Sequence, residues 1–194
     1  MYVRDAKNRE EVWLLDHIEE LGLDGTAFRS RDYVVAVDEV DNEKAGFGRI
    51  RVHKEGGEAV ACELTSIGVL PAWREQGVAA HVIERLVDHA GDQEFSTVYS
   101  LTDRPDYLAQ FGFEPVEPEA LPDVLRERLD AKREGVAPGA IPVVLDVADF
   151  EVPDRLRERF KRAQASEPDA EPEEAAEDFG IDSETATYKY DTGR

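Results

Sequence analysis

Residues 63–90 read ELTSIGVLPAWREQGVAAHVIERLVDHA, and the order of features in them sets the architecture of the chain. Glu63 to Val69 reads as the second half of a strand and runs into Pro71, which cannot continue a ladder. A polar loop follows. Gly77 then opens a helix in which Val78, Ala79, Val82, Ile83, Leu86, Val87 and Ala90 form one broad apolar face. Gly91 stands where a glycine would stop that helix. The loop Arg74 to Ala79 therefore lies at a helix N-terminus, where unpaired N–H groups and the helix dipole favour an anion. Gly77 lets the backbone approach an anion closely, Ala79 is small, and Arg74 adds positive charge. From the loop alone, an anion site and an ordinary strand-to-helix turn are both open readings.

Upstream, Met1 to Arg4 reads as a strand, and Arg9 to Leu21 as an amphipathic helix with Val12, Leu15, Ile18 and Leu21 on its stripe, capped by Asp5 or Asn8. Val34 to Val37 and Ala45 to His53 are strands, and the Gly56-Gly57 pair turns the second into a long strand from Ala59 to Val69. Downstream come a strand at Thr97 to Leu101, a short helix at Pro105 to Phe111 and a strand at Phe113 to Val116. A helix at Leu121 to Lys132 and a strand at Pro142 to Val147 follow. Antiparallel strands followed by a β-helix-β-helix-β passage indicate one mixed α/β layer structure.

The chain has 194 residues, one domain with some length to spare, and 44 acids against 23 bases give a net charge of −21. That charge argues against nucleic acid or an anionic membrane as the partner, because polyphosphates need clustered positive charge. The single cysteine, Cys62, makes no internal disulfide and leaves no cysteine-based zinc site. No apolar run approaches a membrane span and the N-terminus lacks an apolar leader core, so a cytoplasmic protein is expected. Of the bases, 17 are Arg and 6 Lys, which together with the spread of acids reads as a surface adapted to high salt, as in a halophile.

With its flanks, the loop resembles motif A of the GNAT superfamily of N-acetyltransferases: a strand ending in V-x-P (Val69-Leu70-Pro71), then Arg74-Glu75-Gln76-Gly77-Val78-Ala79 opening a helix. The resemblance extends in element order over roughly residues 2–146, and the Gly-Phe pair expected near the end of the core stands at Gly112-Phe113. It implies a GNAT fold: a central mixed, mostly antiparallel twisted sheet of about six or seven strands flanked by helices. Residues 1–148 would form the acetyltransferase domain, 149–164 a short basic helix and 165–194 an acidic tail. It also implies acetyl-CoA as co-substrate and no metal. Gln76, Gly77, Val78 and Ala79, helped by Arg74, would cradle its pyrophosphate, and main-chain groups of Ile67, Gly68 and Val69 would pair with the pantetheine arm. The implied chemistry is direct attack of an amine on the thioester, which needs a free amine, a polarised carbonyl and a proton for the leaving thiolate.

Glu63 is an acid inside an otherwise apolar strand, four residues before the pantetheine-pairing stretch. As a base its pKa would be raised by burial; the alternative is an edge carboxylate or one that orients substrate. Cys62 points to the opposite face and reads as a small core residue. Many superfamily members carry a Tyr four residues before the Gly of the Gly-Phe pair, where this chain has Leu108. Tyr107, one residue earlier, is the candidate proton donor, set against an aromatic packing role with Thr102 or water as substitute. The run Leu101-Thr102-Asp103-Arg104-Pro105-Asp106-Tyr107 and the LPDVL stretch at Leu121 to Leu125 resemble amino-acid N-acetyltransferases of the N-acetylglutamate synthase type.

Arg29 and Arg31 lie in the loop expected to border the acceptor and are candidates to hold a substrate carboxylate. Trp73 reads as rim packing, His81 and His89 as solvent-exposed, and His17 and His53 have no partners at metal spacing. The five bases Arg155, Arg157, Arg159, Lys161 and Arg162 precede a base-free acidic stretch, Ala165 to Gly180, which reads as a disordered linker that pairs with them. The final TATYKYDTGR is strand-prone. The expectation is an N-acetyltransferase acting on a small amino acid or amine, with a homodimer allowed by the resemblance. Its rivals are a protein or peptide N-acetyltransferase and a non-catalytic acyl-CoA-binding module.

Overall fold

In the computed structural model, residues 1–165 are described. The acidic linker from residue 166 onward and the strand-prone terminus lie outside them. Seven strands form one sheet: β1 (Tyr2–Asp5), β2 (Tyr33–Val37), β3 (Lys44–Glu55), β4 (Glu58–Val69), β5 (Thr97–Thr102), β6 (Glu114–Pro115) and β7 (Ile141–Asp146). Their order is β1-β2-β3-β4-β5-β7-β6. Every neighbouring pair is antiparallel except β4 and β5, which run parallel. This is the GNAT arrangement expected from the motif order. β6 is shorter than the strand expected at Phe113 to Val116.

The helices are α1 (Glu11–Glu20), α2 (Val78–Asp92), α3 (Pro105–Ala109), α4 (Asp123–Glu134) and α5 (Asp154–Lys161). Strand alternation distributes them over two faces. Ile50, Cys62, Leu64, Val98 and Leu145 face α2, whose Val82, Ile83, Leu86, Val87 and Ala90 complete the main core; Leu108 of α3 and Leu156 and Phe160 of α5 join it. On the opposite face α1 covers Tyr33, Val35, Val37 and Phe47, while α4 covers Ala61 and Leu101. All five residues of β2 (YVVAV) are buried because helices lie on both sides of it. Close packing of α2 explains Gly48, where a Cβ would stand 2.6 Å from Val82 Cγ1.

Several local expectations are corrected. The buried stripe of α1 is Leu14 and Ile18, leaving Val12 69% exposed. Its start is held by Glu10, whose carboxylate accepts from the Lys7 amide at 2.7 Å and pairs with Arg4 at 2.8 Å, so neither Asp5 nor Asn8 caps it. Gly91 lies inside α2, which ends at Gln93 followed by Glu94 at φ +64°. His81 and His89 are partly buried and partnered, His89 with Asp5 at 3.0 Å. Of the α5 bases, Arg155, Arg157 and Arg159 reach the folded body, Arg157 to Glu84 at 2.7 Å, while the acidic stretch expected to pair with them lies outside the described residues.

Candidate active site

The chain leaves β4, makes one 3₁₀ turn at Pro71–Trp73 that buries the Trp73 ring, and enters α2 through two left-handed residues, Glu75 (φ +62°) and Gly77 (φ +79°). Positive φ on alternate residues curls the backbone into a concave nest whose N–H groups converge. Among the described residues, the backbone amides of Gln76, Gly77, Val78, Ala79 and Ala80 have no hydrogen-bond acceptor. The ladder of α2 starts only with His81 donating to Gly77 O at 3.3 Å. Arg74 folds back, its Nε donating to Val69 O at 3.4 Å. The loop thus presents a set of free amide donors at a helix start.

Next to the loop, the sheet forks. β4 and β5 pair at Glu63 and Tyr99 alone, with Ser100 Oγ donating to Leu64 O at 3.0 Å. Beyond that point the β4 edge carrying Ile67, Gly68 and Val69 has no strand partner on the β5 side among the described residues. Opposite Gly48, β4 advances three residues for two on β3, a bulge in which Ser66 takes φ +49° and donates from Oγ to Asp24 O at 2.6 Å. The bulge re-aims the main chain just before the fork.

Glu63 stands at the vertex of the fork, fully buried, on the face covered by α4. His53 Nε2 lies 2.8 Å from Oε2, Arg128 Nε 3.3 Å from the same oxygen, and Lys132 Nζ 3.5 Å from Oε1. Burial pushes the Glu63 carboxyl up, but the His53 hydrogen bond and the Lys132 and Arg128 charges outweigh it and hold the pKa at about 2. The direction is opposite to that expected for a buried base. Arg128 also pairs with Asp24 in the loop after α1, and Lys132 donates to Leu101 O at 2.8 Å. Two further arginines share this face. Arg49 donates to Thr26 O at 2.8 Å and lies 3.5 Å from Asp32; among the described residues its buried Nε has no acceptor, nor has the buried Nη1 of Arg51, the register partner of Glu63.

A nest at a helix start, a forked parallel pair and a buried carboxylate at its vertex follow one another along β4 and the loop into α2, and the sequence matches the Acetyltransferase (GNAT) family over residues 2–113. The chain belongs to that family. As a GNAT acetyltransferase it shares its fold with solved structures of low identity. One is Rv2747 from Mycobacterium tuberculosis, solved in complex with CoA: 17% identity, TM-score 0.61, 75% of this chain and 99% of that one. Another is N-acetylglutamate synthase from Neisseria gonorrhoeae complexed with coenzyme A and N-acetyl-glutamate: 19% identity, TM-score 0.59, 75% of this chain but 34% of that one. An aminoglycoside 6'-acetyltransferase type Ii matches at 19% identity and TM-score 0.50, over 79% of this chain and 99% of that one. No curated protein matches the chain.

Within this GNAT site, Tyr107 is half-buried and packs edge-on against Phe111 at 5.4 Å, and burial pushes its phenol up. Leu108, at the position where a Tyr was expected, is a buried core residue. Arg29 pairs with Asp32 at 2.9 Å, and with Arg31 it lines a shallow recess beside Asn8 and Phe28, not the Glu63 cluster. Cys62 faces the α2 core, its thiol pushed up to about 12 by burial and by the Glu63 charge. The sequence reading missed His53, Arg51, Arg128, Lys132 and Asp24. Only the first two were within reach of hairpin register, since the Gly56-Gly57 turn places them on the Glu63 face. Among the described residues no group of acids, His and Cys is arranged to hold a metal, and no helix is long and apolar enough to cross a membrane.

Proposed function

We propose that this GNAT protein transfers the acetyl group of acetyl-CoA to the amino group of a small amino acid. The observation that carries the acceptor class is a charge surplus. On the Glu63 face three cations (Arg51, Arg128, Lys132) meet two carboxylates (Asp24, Glu63), and the Arg51 guanidinium, unlike that of Arg49, makes no hydrogen bond among the described residues and keeps Nη1 buried. A buried guanidinium nitrogen without a hydrogen-bond acceptor is costly, and an acceptor carboxylate would satisfy it bidentately. The donor side is supported by the five free amides at Gln76 to Ala80, a donor set suited to a diphosphate, with Arg74 beside them.

In this reading, the amides of Gln76, Gly77, Val78 and Ala79 hold the pyrophosphate. The free β4 edge at Ile67, Gly68 and Val69 takes the pantetheine arm. The ionised Glu63 attracts the acceptor ammonium, and the Glu63–His53 pair receives the proton that the amine must lose before its nitrogen attacks the thioester carbon. The C–N bond forms as the C–S bond breaks, and the thiolate is protonated by Tyr107, which burial keeps in the phenol form at neutral pH. Arg51 holds the carboxylate. Arg29 and Arg31 stand outside this cluster and act at most at its approach.

A non-catalytic acyl-CoA-binding module is the second reading, favoured by Leu108 in place of the expected Tyr. Thiol release from acetyl-CoA, followed at low and at molar salt because we also read the −21 charge as salt adaptation, separates the two. The expected result is turnover with free amino acids and little with their carboxamides or decarboxylated amines. Preference for polyamines or basic peptides would overturn the acceptor class, and acetyl-CoA binding without turnover on any acceptor would favour the module.

A further inference from the structure

The C-terminal end of the described chain lies on the cofactor loop. A Cβ placed on Gly77 would stand 2.4 Å from Leu156 O and 3.3 Å from Phe160 N, so the backbone of α5 is seated directly against the glycine that opens the nest. Gln76, one of the loop residues, is clasped twice: its Nε2 donates to Gln164 O at 2.8 Å and its Oε1 accepts from the Gln164 amide at 2.8 Å. Arg159 Nη1 donates to Glu75 O at 3.3 Å. Phe160 stacks on His81, one turn into α2, with ring centroids 3.8 Å apart and planes 7° from parallel. At the other end of α5, Arg155 donates to Gln110 Oε1 at 2.7 Å, at the end of α3 next to Tyr107. The helix thus spans from the pyrophosphate nest to the element carrying the candidate proton donor.

We propose that α5 is an autoinhibitory strap: it occupies the space beside Gly77 that a bound diphosphate requires, and acetyl-CoA binds only when α5 lifts away from the loop. The proposal rests on the reading of residues 76–79 as the pyrophosphate cradle. The strap is held by apolar contacts of Leu156 and Phe160 within the main core and by the hydrogen bonds of Gln164 and Arg159 to the loop. A population in which α5 is docked reduces the apparent affinity for cofactor by the fraction that is undocked, so loosening the strap raises affinity without adding a contact to the ligand.

Hydrogen exchange on the full-length protein, with CoA as the probe, tests this directly. Saturating CoA is expected to protect the amides of residues 76–80 and at the same time to speed exchange in residues 154–161. Phe160→Ala is expected to tighten CoA binding by about tenfold or more, and Arg157→Ala, which removes only the ion pair to Glu84, by a smaller factor. Protection of both segments would overturn the strap and make α5 a wall of the bound site. Protection of 76–80 with 154–161 unchanged, or an unaltered CoA dissociation constant in a folded Phe160→Ala variant, would overturn it as well. If CoA leaves residues 76–80 unprotected in both the native chain and Phe160→Ala, the cradle reading itself fails, and the strap with it.

Discussion

His53 Nε2 lies 2.8 Å from Glu63 Oε2, although the two are not register partners: Arg51 is paired with Glu63, and His53 with Ala61. The contact runs diagonally along one face of the hairpin and delivers an imidazole to a carboxylate with no solvent-exposed surface. With Lys132 and Arg128 on its other sides, Glu63 remains an anion in a place where burial alone would protonate it.

The stability of the fold at acid pH follows from this. Glu63, Asp24 and Glu10 each have a carboxyl lowered to about 2 from ordinary values of 4.5, 3.8 and 4.5. A lowered native pKa contributes stability that is complete above the unfolded value and is lost as the pH falls through the native one. Stability against denaturant is therefore expected to be level from neutrality to about pH 5 and to fall between pH 4.5 and about 2. A loss of stability already complete between pH 7 and 5 would show that these ion pairs do not govern it.

Replacing Glu63 separates charge from shape. Glu63→Ala leaves Lys132 without its anion and Arg128 with Asp24 alone, and is expected to cost about 3–5 kcal/mol in chemical denaturation. Glu63→Gln keeps the volume and is expected to cost less, yet to lower kcat by about 100-fold or more. Full activity in a folded Glu63→Gln protein would remove Glu63 from the proton path.

Arg51 is the residue through which acceptor choice is tested. Arg51→Met is expected to raise KM for a free amino acid by about 10- to 100-fold, the loss of one charge-assisted interaction. The kinetics with an amine lacking a carboxylate should not change. Equal loss on both acceptors would mean that Arg51 supports the fold rather than reads the substrate.

Cys62 gives a test of the core. Its thiol is fully buried and pushed up to about 12, so thiolate is absent at neutral pH. A disulfide reagent is expected to leave the native protein unlabelled and to react with one equivalent after unfolding. Rapid labelling of native protein would place the β4–α2 packing in error.

The segment 63–90 was legible because strand, turn and helix signals follow one another within it, each fixed by local chemistry: the alternation, Pro71, Gly77 and the apolar face of α2. The stripe of α1 was misread because Val12, Leu15, Ile18 and Leu21 repeat every three residues. At about 100° per residue such a row winds halfway around the helix by its end, so only Ile18 and its neighbours face the sheet with Leu14. Gly91 was misread as a stop because its missing side chain faces ordinary packing, 3.6 Å from Val147, and the chain turns three residues later at Glu94. The cluster around Glu63 was hidden for a different reason. Arg128 and Lys132 lie 65 and 69 residues away on α4, and no spacing in the sequence links them to β4. The docking of α5 is of the same kind: its row of bases was visible, but not the glycine it covers.

The single point of pairing between β4 and β5 divides the sheet into two plates, β1 to β4 and β5, β7 and β6. What ties the plates on the far side is Lys132, which reaches Glu63 on one and the Leu101 carbonyl on the other. A rivet placed at the vertex lets the seam widen toward Val69 without tearing any ladder bond. An extended guest lying along the open margin of β4 would therefore continue the sheet, adding hydrogen bonds where none have to be surrendered, and the charge that handles the proton would sit at the hinge of that opening.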